Sequence, residues 1–335
     1  MNQLFTAAEI LTVTGGRLLS GSPAAPVVGF AYDSRLVKPG DCFVAMVGER
    51  VDGHQYARGA AERGASVVLC GRPVEAPGST VILVDDPLQA LGQLGRAFRQ
   101  RFSLPVVGVT GSVGKTTTKE MVAAALSGRY KPYRSAGNFN SEVGLPITLM
   151  EITPEHEVAV LEMGMRALGE IAYLCSIAGP SVGVVTNVGT SHLELLGTQA
   201  NIARAKGELP RSLPADGAAI LNWDDPLVRA MAAETRAAVW YYGLEPGPEG
   251  YVTARGIERE GEVGQRFTLV TPVGEISVSL GAPGRHLVLN ACAAAAVGLH
   301  LGMSLAEIAA GLATYQPSGA RMRILASGGI RILDD

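Results

Sequence analysis

The chain has 335 residues, of which 47% are apolar and 18% charged, and its formal net charge is −3. This composition is typical of a globular protein with two or three domains, and it offers no basic surface for a nucleic-acid partner. Residues 1–16 contain no Lys or Arg, no apolar run is long enough to cross a bilayer, and the four cysteines are far apart in sequence. We therefore expect a cytoplasmic protein with reduced thiols and no membrane partner.

Residues 1–102 predict a small α/β domain. Thr6-Ala-Ala-Glu9 is a capping box that opens a short helix. Further along the chain, residues 65–70 and 80–84 have the composition of strands, and residues 87–100 that of a helix. A short break at 103–105 then separates this domain from the next.

A glycine-rich turn between a strand and a helix is the most informative feature of the sequence. The β-forming run 105–110 leads into Thr110-Gly-Ser-Val-Gly-Lys-Thr116, and a helix is expected to about residue 127. Glycines let backbone N–H groups converge on a phosphate, while Lys115 and the Thr116 hydroxyl suit the terminal phosphates of ATP and Mg²⁺. The usual spacing would place Gly where Val109 stands, so an ordinary glycine turn is the alternative. The predicted ATP-binding residues are Gly111, Ser112, Val113, Gly114, Lys115, Thr116 and Thr117.

The rest of the chain predicts a mostly parallel sheet covered by helices. Apolar strands recur at 157–162, 182–186, 218–221 and 237–241, with helical stretches between them. A small β-meander is expected over 251–280, followed by one helix at 286–301 and another after the capping box Ser304-Leu-Ala-Glu307. The predicted fold class is thus α/β, with an N-terminal α/β domain at 1–102 and a central P-loop domain at 103–317. Residues 318–335 are expected to begin a further domain whose remainder is missing.

Three side chains in the central domain are candidate ligands. Glu162 ends one strand and His192 follows another, so both should lie near the edge of the sheet that carries the glycine turn. A carboxylate there suits Mg²⁺, although a solvated Glu and a structural His are the alternatives. Lys206 lies on a predicted helix, and by itself this context favours a surface lysine.

Polar clusters elsewhere suit a phosphate-bearing substrate. Asp33-Ser34-Arg35 and Asp52-Gly-His54 offer carboxylate, hydroxyl, guanidinium and imidazole groups, with ordinary turn chemistry as the alternative. The loop that contains Asn138 and Asn140 is either a substrate contact or a simple turn.

Taken in order, these motifs resemble the Mur ligases of peptidoglycan synthesis, and the match runs along nearly the whole chain. The resemblance implies a UDP-sugar-binding domain at 1–102 and an ATP-binding ligase domain at 103–317, with 318–335 as the start of a Rossmann-like domain. Glu162-Met-Gly164 resembles the fourth ligase of the series, which joins D-alanyl-D-alanine to UDP-N-acetylmuramoyl-tripeptide, whereas the third typically has Glu-Val-Ser-Ser. The third ligase, which adds a diamino acid, and a non-enzymatic P-loop switch are the alternatives. The substrate residues implied are Asp33, Ser34, Arg35, Asp52, His54, Asn138 and Asn140.

The resemblance also implies roles in the central domain. Lys206 matches a lysine that is carbamylated by CO₂, and this carbamate would bind Mg²⁺ together with Thr116, Glu162 and His192. Asn290 resembles an adenine-contacting Asn, Arg321 the arginine that reaches the γ-phosphate, and Asp335 a ribose-binding Asp. The sequence departs from the family pattern at Leu287 and at Ser141, where many relatives have Asn. The catalytic residues implied are Lys115, Lys206, His192 and Arg321.

The reaction implied is amide formation through an acyl phosphate, carried out by a monomer. Members of the family continue past the position of Asp335 into a domain that helps to close over ATP. Closure excludes water from the acyl phosphate, so we expect this chain to bind its ligands but to ligate them weakly or not at all.

Overall fold

The computed structural model describes residues 3–48, 51–135, 137, 139–261, 264–317, 323–327 and 330–334. Among the residues singled out above, Asn138, Arg321 and Asp335 lie outside these ranges. The described chain has the mixed α/β architecture that the sequence predicts. Within the same ranges, no helix has both the length and the apolar composition needed to cross a membrane.

Helices and strands are numbered here in chain order. The α-helices are α1 Ala7–Thr14, α2 Ala57–Glu62, α3 Pro87–Arg99, α4 Lys115–Leu126, α5 Gly144–Leu149, α6 Glu170–Ala178, α7 Leu193–Leu196, α8 Gln199–Lys206, α9 Glu208–Ser212, α10 Pro226–Ala230, α11 Arg285–His300 and α12 Leu305–Ala313. The strands are β1 Phe5–Thr6, β2 Arg17–Ser20, β3 Pro26–Val27, β4 Gly29–Ala31, β5 Asp41–Ala45, β6 Val67–Cys70, β7 Thr80–Leu83, β8 Val106–Thr110, β9 Pro132–Arg134, β10 Val158–Glu162, β11 Val182–Val185, β12 Ala218–Asn222, β13 Ala238–Tyr242, β14 Thr253–Glu260, β15 Gly264–Thr271, β16 Gly274–Leu280, β17 Arg323–Ser327 and β18 Ile330–Asp334. Short 3₁₀ helices lie at Ser34–Leu36, Gly53–Tyr56 and Met231–Glu234.

The chain forms two compact units, and the first contains Met1–Ser103 and Glu142–Ile152. Its main sheet has the strand order β2-β7-β6-β5-β4 and is parallel except for β2. Strand β5 is buried along its whole length: Cys42 and Val44 pack in one apolar cluster, and Phe43 and Ala45 pack in another. Since alternate side chains point to opposite faces, this continuous apolar run is what a strand covered on both faces requires.

Capping residues set the helix ends of this unit. Thr6 and Glu9 form the predicted capping box at the start of α1. At the start of α3, the Asp86 carboxylate accepts hydrogen bonds from the N–H groups of Leu88 and Gln89, and Pro87 occupies the first position. Both arrangements satisfy N–H groups that have no partner inside the helix.

Residues 142–152 pack with the first unit although they follow helix α4 and strand β9 in the chain. Helix α5 lies against α3, where a Cβ on Gly95 would come within 2.7 Å of the Pro146 Cβ. Val143, Ile147 and Met150 extend the apolar cluster of that unit. The sequence predicts a single domain boundary at residue 102 and does not indicate that 142–152 pack with the first unit.

The second unit contains a sheet of six parallel strands in the order β13-β12-β11-β8-β10-β9. Strand β8 lies between β10 and β11, so the chain crosses β8 when it passes from one side of the sheet to the other. In open parallel sheets, ligands bind beyond the carboxyl ends of the strands at such a crossing. Helices α4 and α11 share an apolar cluster with Val107 and Val109 of β8, and they cover one face of this part of the sheet.

The β-meander predicted over 251–280 is confirmed as the antiparallel sheet β14-β15-β16. Ser304 and Glu307 form the capping box of α12 as predicted. Strand β13 at Ala238–Tyr242 lies one residue beyond its prediction, because interstrand hydrogen bonds rather than composition set where a strand ends. Strands β17 and β18 form an antiparallel pair, and the start of a further domain at 318–335 stays a prediction.

Candidate functional site

Two glycines shape the turn between β8 and α4. A Cβ on Gly111 would come within 1.8 Å of the Thr186 hydroxyl oxygen, so the position accommodates only glycine. Gly114 precedes α4 with a φ of 83°, a left-handed conformation that side chains disfavour. Helix α4 begins directly after Gly114 without a side-chain cap. Its partial positive charge and first-turn N–H groups therefore make the turn a place where an anion can bind.

Asn187, the second residue after strand β11, holds this turn from the neighbouring strand. Its backbone oxygen accepts a hydrogen bond from Ser112 N–H at 3.0 Å, and its amide oxygen accepts one from Val113 N–H at 3.0 Å. The Asn187 amide nitrogen and the Thr186 hydroxyl both donate to the Val113 backbone oxygen, at 2.9 Å and 2.7 Å. Because the turn is already held in one conformation, less entropy is lost when a ligand binds. Sequence reasoning assigns no role to Asn187, although a polar residue soon after a parallel strand is the available signal.

The Lys115 side chain folds back over the turn. Its Nζ donates to the backbone oxygens of Gly111 at 2.8 Å and Ser112 at 3.4 Å. A flexible ammonium held there can turn towards a bound phosphate. Thr117 lies in the same helical turn and is half-buried.

Oxygen-bearing side chains cluster at the carboxyl end of β10. The Thr116 hydroxyl donates to Glu162 Oε2 at 2.6 Å, and Asn140 Nδ2 donates to Glu162 Oε1 at 2.7 Å. Glu162 is only 3% exposed. Hydroxyl and carboxylate oxygens are ligands that Mg²⁺ prefers, and a buried carboxylate is stabilised by a cation. Thr116 and Glu162 therefore fit the Mg²⁺ ion that the sequence predicts.

Asn140 has a protein partner where the sequence predicts a substrate contact. Besides its bond to Glu162, its backbone oxygen accepts a hydrogen bond from Gly164 N–H at 2.8 Å. The loop after β9 runs beside the neighbouring parallel strand β10, whose carboxyl end carries Glu162. In this structure the side chain of Asn140 therefore contacts the carboxylate of the cluster, and its assignment as a substrate contact stays a prediction.

Lys206, at the end of α8, is buried, although its sequence context by itself favours the surface. Its exposed fraction is 2%. Burial, and to a smaller extent the positive charge of Lys115, lowers the pKa of Lys206 from 10.5 to about 7. Near neutral pH a large share of Lys206 is thus the unprotonated amine, which is the nucleophilic form. The effect of Lys115 on this pKa shows that the end of α8, far along the chain, lies near the glycine turn.

His192 has an unusual backbone conformation. Among the described residues it is the only non-glycine residue with a positive φ, 65°, and its side chain is exposed at the start of α7. Such conformations carry strain and concentrate at functional sites. Where the structure describes the chain, no three His, Cys, Asp or Glu side chains are grouped to hold one metal ion. The assignment of His192 as a metal ligand stays a prediction.

Asn290 on α11 contacts the glycine-turn helix. Its Oδ1 accepts a hydrogen bond from the Thr118 hydroxyl at 3.2 Å, and the residue is 8% exposed. Its proposed contact with adenine stays a prediction. The same holds for Arg321 and Asp335, which lie outside the described residues.

A separate cavity of about 1240 Å³ lies in the first unit. The residues that line it include the segments directly after β4, β5, β6 and β7, so it opens at the carboxyl ends of four neighbouring strands. The predicted substrate residues Asp33, Ser34, Arg35 and His54 all line this cavity. Exposed apolar side chains accompany them, namely Tyr32, Val47, Val51 and Tyr56. Polar groups beside exposed aromatic rings suit a ligand with both a charged and a planar part.

His54 is held by two hydrogen bonds at the wall of this cavity. Its Nε2 accepts from Gly71 N–H at 2.9 Å, so the ring proton lies on Nδ1 and is donated to Asp52 Oδ1 at 2.6 Å. The other oxygen of Asp52 accepts from Arg72 at 2.7 Å. The Arg72 guanidinium, followed by His54, lowers the pKa of Asp52. Both ring nitrogens of His54 are thus occupied by contacts that hold the cavity wall. Arg72, which sequence reasoning misses, is a further cation that lines the cavity.

Asp33 and Arg35 form a second ion pair at the cavity. Arg35 Nη2 lies 2.6 Å from Asp33 Oδ2, and the Arg35 guanidinium lowers the pKa of Asp33 from 3.8 to about 2. The Arg35 side chain is largely exposed. An exposed guanidinium with a carboxylate partner can exchange that partner for a phosphate.

Two protein families match this chain. The family described as "Mur ligase middle domain" matches residues 109–298, and the family described as "Mur ligase family, catalytic domain" matches residues 26–99. These matches cover the glycine turn, Glu162, Lys206 and most of the residues around the cavity.

Individual relatives match over nearly the whole chain. A UDP-N-acetylmuramoyl-tripeptide--D-alanyl-D-alanine ligase of Synechocystis is 39% identical, over 100% of this chain and 72% of its own length. The crystal structure of MurF from Acinetobacter baumannii has a TM-score of 0.91 at 35% identity and covers 99% of this chain and 72% of that one. The structure of MurF ligase from Thermotoga maritima in complex with ADP has a TM-score of 0.82 at 31% identity and covers 91% and 70%.

Proposed function

Because the chain belongs to the Mur ligase family, we propose that it is the ATP-dependent ligase that joins D-alanyl-D-alanine to UDP-N-acetylmuramoyl-tripeptide. The observation that carries the chemistry is the Thr116–Glu162 pair beside the glycine turn, with the buried Lys206 near Lys115. The substrate assignment is supported by the 39% identity to a relative with that printed name. The same proposal includes that the enzyme is cytoplasmic and monomeric and acts in the synthesis of peptidoglycan precursors.

The glycine turn is the proposed phosphate-binding site. The first-turn N–H groups of α4 and the Lys115 ammonium would supply positive charge to the phosphates of ATP. The relative from Thermotoga maritima was solved in complex with ADP, which supports this assignment. The bracing by Asn187 keeps these donors in place. The proposed contact of the γ-phosphate is Arg321, that of the adenine is Asn290, and that of the ribose is Asp335.

Lys206 is proposed to be carbamylated. A neutral buried amine can attack CO₂, forming an N–C bond and losing one proton, and the product is an anion. Together with Thr116, Glu162 and His192, this carbamate would hold Mg²⁺, which supplies positive charge next to the phosphates when bound. Carbamylation would also convert a buried amine near Lys115 into an anion, whose charge is opposite to that of the Lys115 ammonium.

The first-unit cavity is the proposed site for the UDP part of the substrate. Arg35 and Arg72 supply charge for the diphosphate, and Tyr32 and Tyr56 offer planar faces to the base. Asp52 and His54 hold Arg72 and the adjoining backbone in position.

In the proposed reaction, an oxygen of the tripeptide's terminal carboxylate attacks the γ-phosphorus of ATP, and the bond to the bridging oxygen breaks to release ADP. The D-alanyl-D-alanine amine then attacks the acyl phosphate carbon, loses a proton, and phosphate leaves. Carboxylate oxygen is a poor leaving group, so transfer of the phosphoryl group makes amide formation feasible. Lys115 contributes by stabilising charge on the transferred group.

Product analysis by mass spectrometry tests this proposal. The chain is incubated with ATP, Mg²⁺ and either UDP-N-acetylmuramoyl-tripeptide with D-alanyl-D-alanine, or the dipeptide precursor with a diamino acid. Any ligated product, at the low level expected of this chain, should come only from the first pair. None should come from a Lys115→Met variant, whereas Lys131→Met, an exposed lysine, should match the wild type. Product only from the second pair would identify the third ligase. ATP binding with no product from either pair, and with no binding of either UDP-linked substrate, would favour the P-loop switch.

A further inference from the structure

Gly164 and Asn140 form a close pair at the carboxyl end of β10. A Cβ on Gly164 would lie 3.0 Å from Asn140 Cγ and Oδ1 and 3.3 Å from Nδ2. Gly164 is not among the described glycines with positive φ, so its backbone does not require glycine. Because glycine has no side chain, Gly164 leaves space for the side chain of Asn140.

The pair is held on both sides. Gly164 N–H donates to the Asn140 backbone oxygen at 2.8 Å, which fixes the loop against the strand end. The Asn140 amide then donates to Glu162 Oε1, and the Thr116 hydroxyl donates to Oε2. With one donor on each oxygen, rotation of the Glu162 carboxylate is restricted. A neutral amide achieves this without cancelling the charge of the carboxylate, which a lysine or arginine would do.

We propose that Gly164 and Asn140 are a positioning pair for Glu162: the space above Gly164 admits the Asn140 amide, which orients the carboxylate for Mg²⁺. The inference rests on the nucleotide and Mg²⁺ site of the proposed function. Partners that orient metal ligands typically change metal affinity 10- to 100-fold when removed. Neither residue needs to touch the ion or the substrate for this effect.

The effect of Mg²⁺ on ADP binding measures this role without relying on activity. Titration calorimetry gives the Kd of ADP with and without Mg²⁺ for the wild type, Gly164→Ala, Asn140→Leu and the double variant. Leu keeps the approximate shape of Asn140 and removes its donor. Ser176→Ala, at an exposed position on α6, is the matched control, and circular dichroism checks the fold of each variant.

We expect Mg²⁺ to tighten ADP binding by the wild type, and each single variant to lose about 10-fold of this gain. Without Mg²⁺, all variants should bind ADP equally, because the glycine turn is intact. The double variant should lose no more than Asn140→Leu, since Gly164→Ala acts only through Asn140.

Four results would overturn the proposal. Wild-type tightening retained by Asn140→Leu would show that the amide does not orient Glu162. If the double variant loses the sum of the two single-variant losses in Mg²⁺-dependent tightening, Gly164 acts by a route other than Asn140. If the variants lose ADP affinity equally without Mg²⁺, the substitutions have a general structural effect. If Gly164→Ala does not fold, the effect of Mg²⁺ on ADP binding by Asn140→Leu alone tests the proposal. Failure of the wild type to respond to Mg²⁺ would overturn the proposed metal site together with this inference.

Discussion

Lys206 and Glu162 are both almost completely buried, with exposed fractions of 2% and 3%, but their surroundings favour different charge states. Glu162 has a hydrogen-bond donor on each carboxylate oxygen. Burial instead lowers the pKa of Lys206 to about 7, aided by the charge of Lys115. A buried charge must be paired or neutralised. The carboxylate is therefore suited to hold a cation, and the lysine to react as a neutral amine.

The lowered pKa of Lys206 predicts that the protein becomes more stable as pH rises above 7. In the unfolded chain the lysine stays protonated up to its ordinary pKa of 10.5, whereas the folded chain releases the proton above about 7. Between these values the unfolded state binds more protons, so the free energy of unfolding rises by at most about 1.4 kcal/mol per pH unit. Below pH 7 both states are protonated, and the cost of burying the charge is greatest.

Urea unfolding at pH 7, 8 and 9 in CO₂-free buffer measures this effect. The stability of wild type relative to Lys206→Met should increase with pH, because the variant has no proton to release. Lys131→Met, an exposed lysine of the same unit, should keep the wild-type dependence. Parallel pH profiles for wild type and Lys206→Met would contradict the prediction.

At the scale of elements, a charge cluster around the buried Lys119 joins strand β9 to helix α4. The fully buried Lys119 lies 3.3 Å from Glu120, which also pairs with Arg134 of β9 at 2.6 Å. Lys119 Nζ donates to the backbone oxygen of Ser135, just after the strand. Strand β9 has three residues and lies at the edge of the six-stranded sheet. Side-chain bonds to the helix therefore supplement the few hydrogen bonds that so short a strand can make.

Removal of the buried cation should destabilise the second unit. Lys119→Met leaves the Ser135 carbonyl without this donor and leaves Glu120 paired only with the more exposed Arg134. We expect a loss of about 3 kcal/mol in the free energy of unfolding, measured in urea. Lys131→Met should change it by less than about 0.5 kcal/mol, because this lysine is exposed. Equal stability of the two variants would show that the cluster does not hold the strand.

At the scale of the whole molecule, the chain enters the second unit and returns to the first before completing it. Glu142–Ile152 belong to the first unit, although the segments before and after them belong to the second. Helix α5 packs against α3 at Gly95, and Ile147 joins the apolar cluster of the first unit. Two chain crossings thus link the units at this segment, in addition to the crossing at 103–104.

This organisation predicts that α5 unfolds with the first unit. In hydrogen exchange at increasing urea concentration, the amides of α5 should lose protection together with those of α3. Those of α4, closer in sequence, should follow the rest of the second unit, since cooperative units follow packing. Exchange of α5 in step with α4 and apart from α3 would refute this grouping.

Much of the fold and part of the candidate site were accessible from sequence because they depend on local chemistry. The capping boxes of α1 and α12, the apolar parallel strands and the glycine turn each follow from residues close together in the chain. The motif Glu162-Met-Gly164 distinguished two ligases, and its glycine has a physical reason in the space it leaves for Asn140. Cap geometry, strand periodicity and the need for glycine are properties of short segments.

The tertiary structure alone decided features that depend on residues far apart in sequence. Lys206 is buried because of what packs around α8, and nothing in its own segment indicates this. The partner of Asn140 depends on β9 lying beside β10, and both nitrogens of His54 are occupied only because Gly71 and Asp52 meet it. Burial and hydrogen-bond partners are set by the whole fold, so the sequence by itself determined the kind of chemistry, and packing decided which side chains carry it.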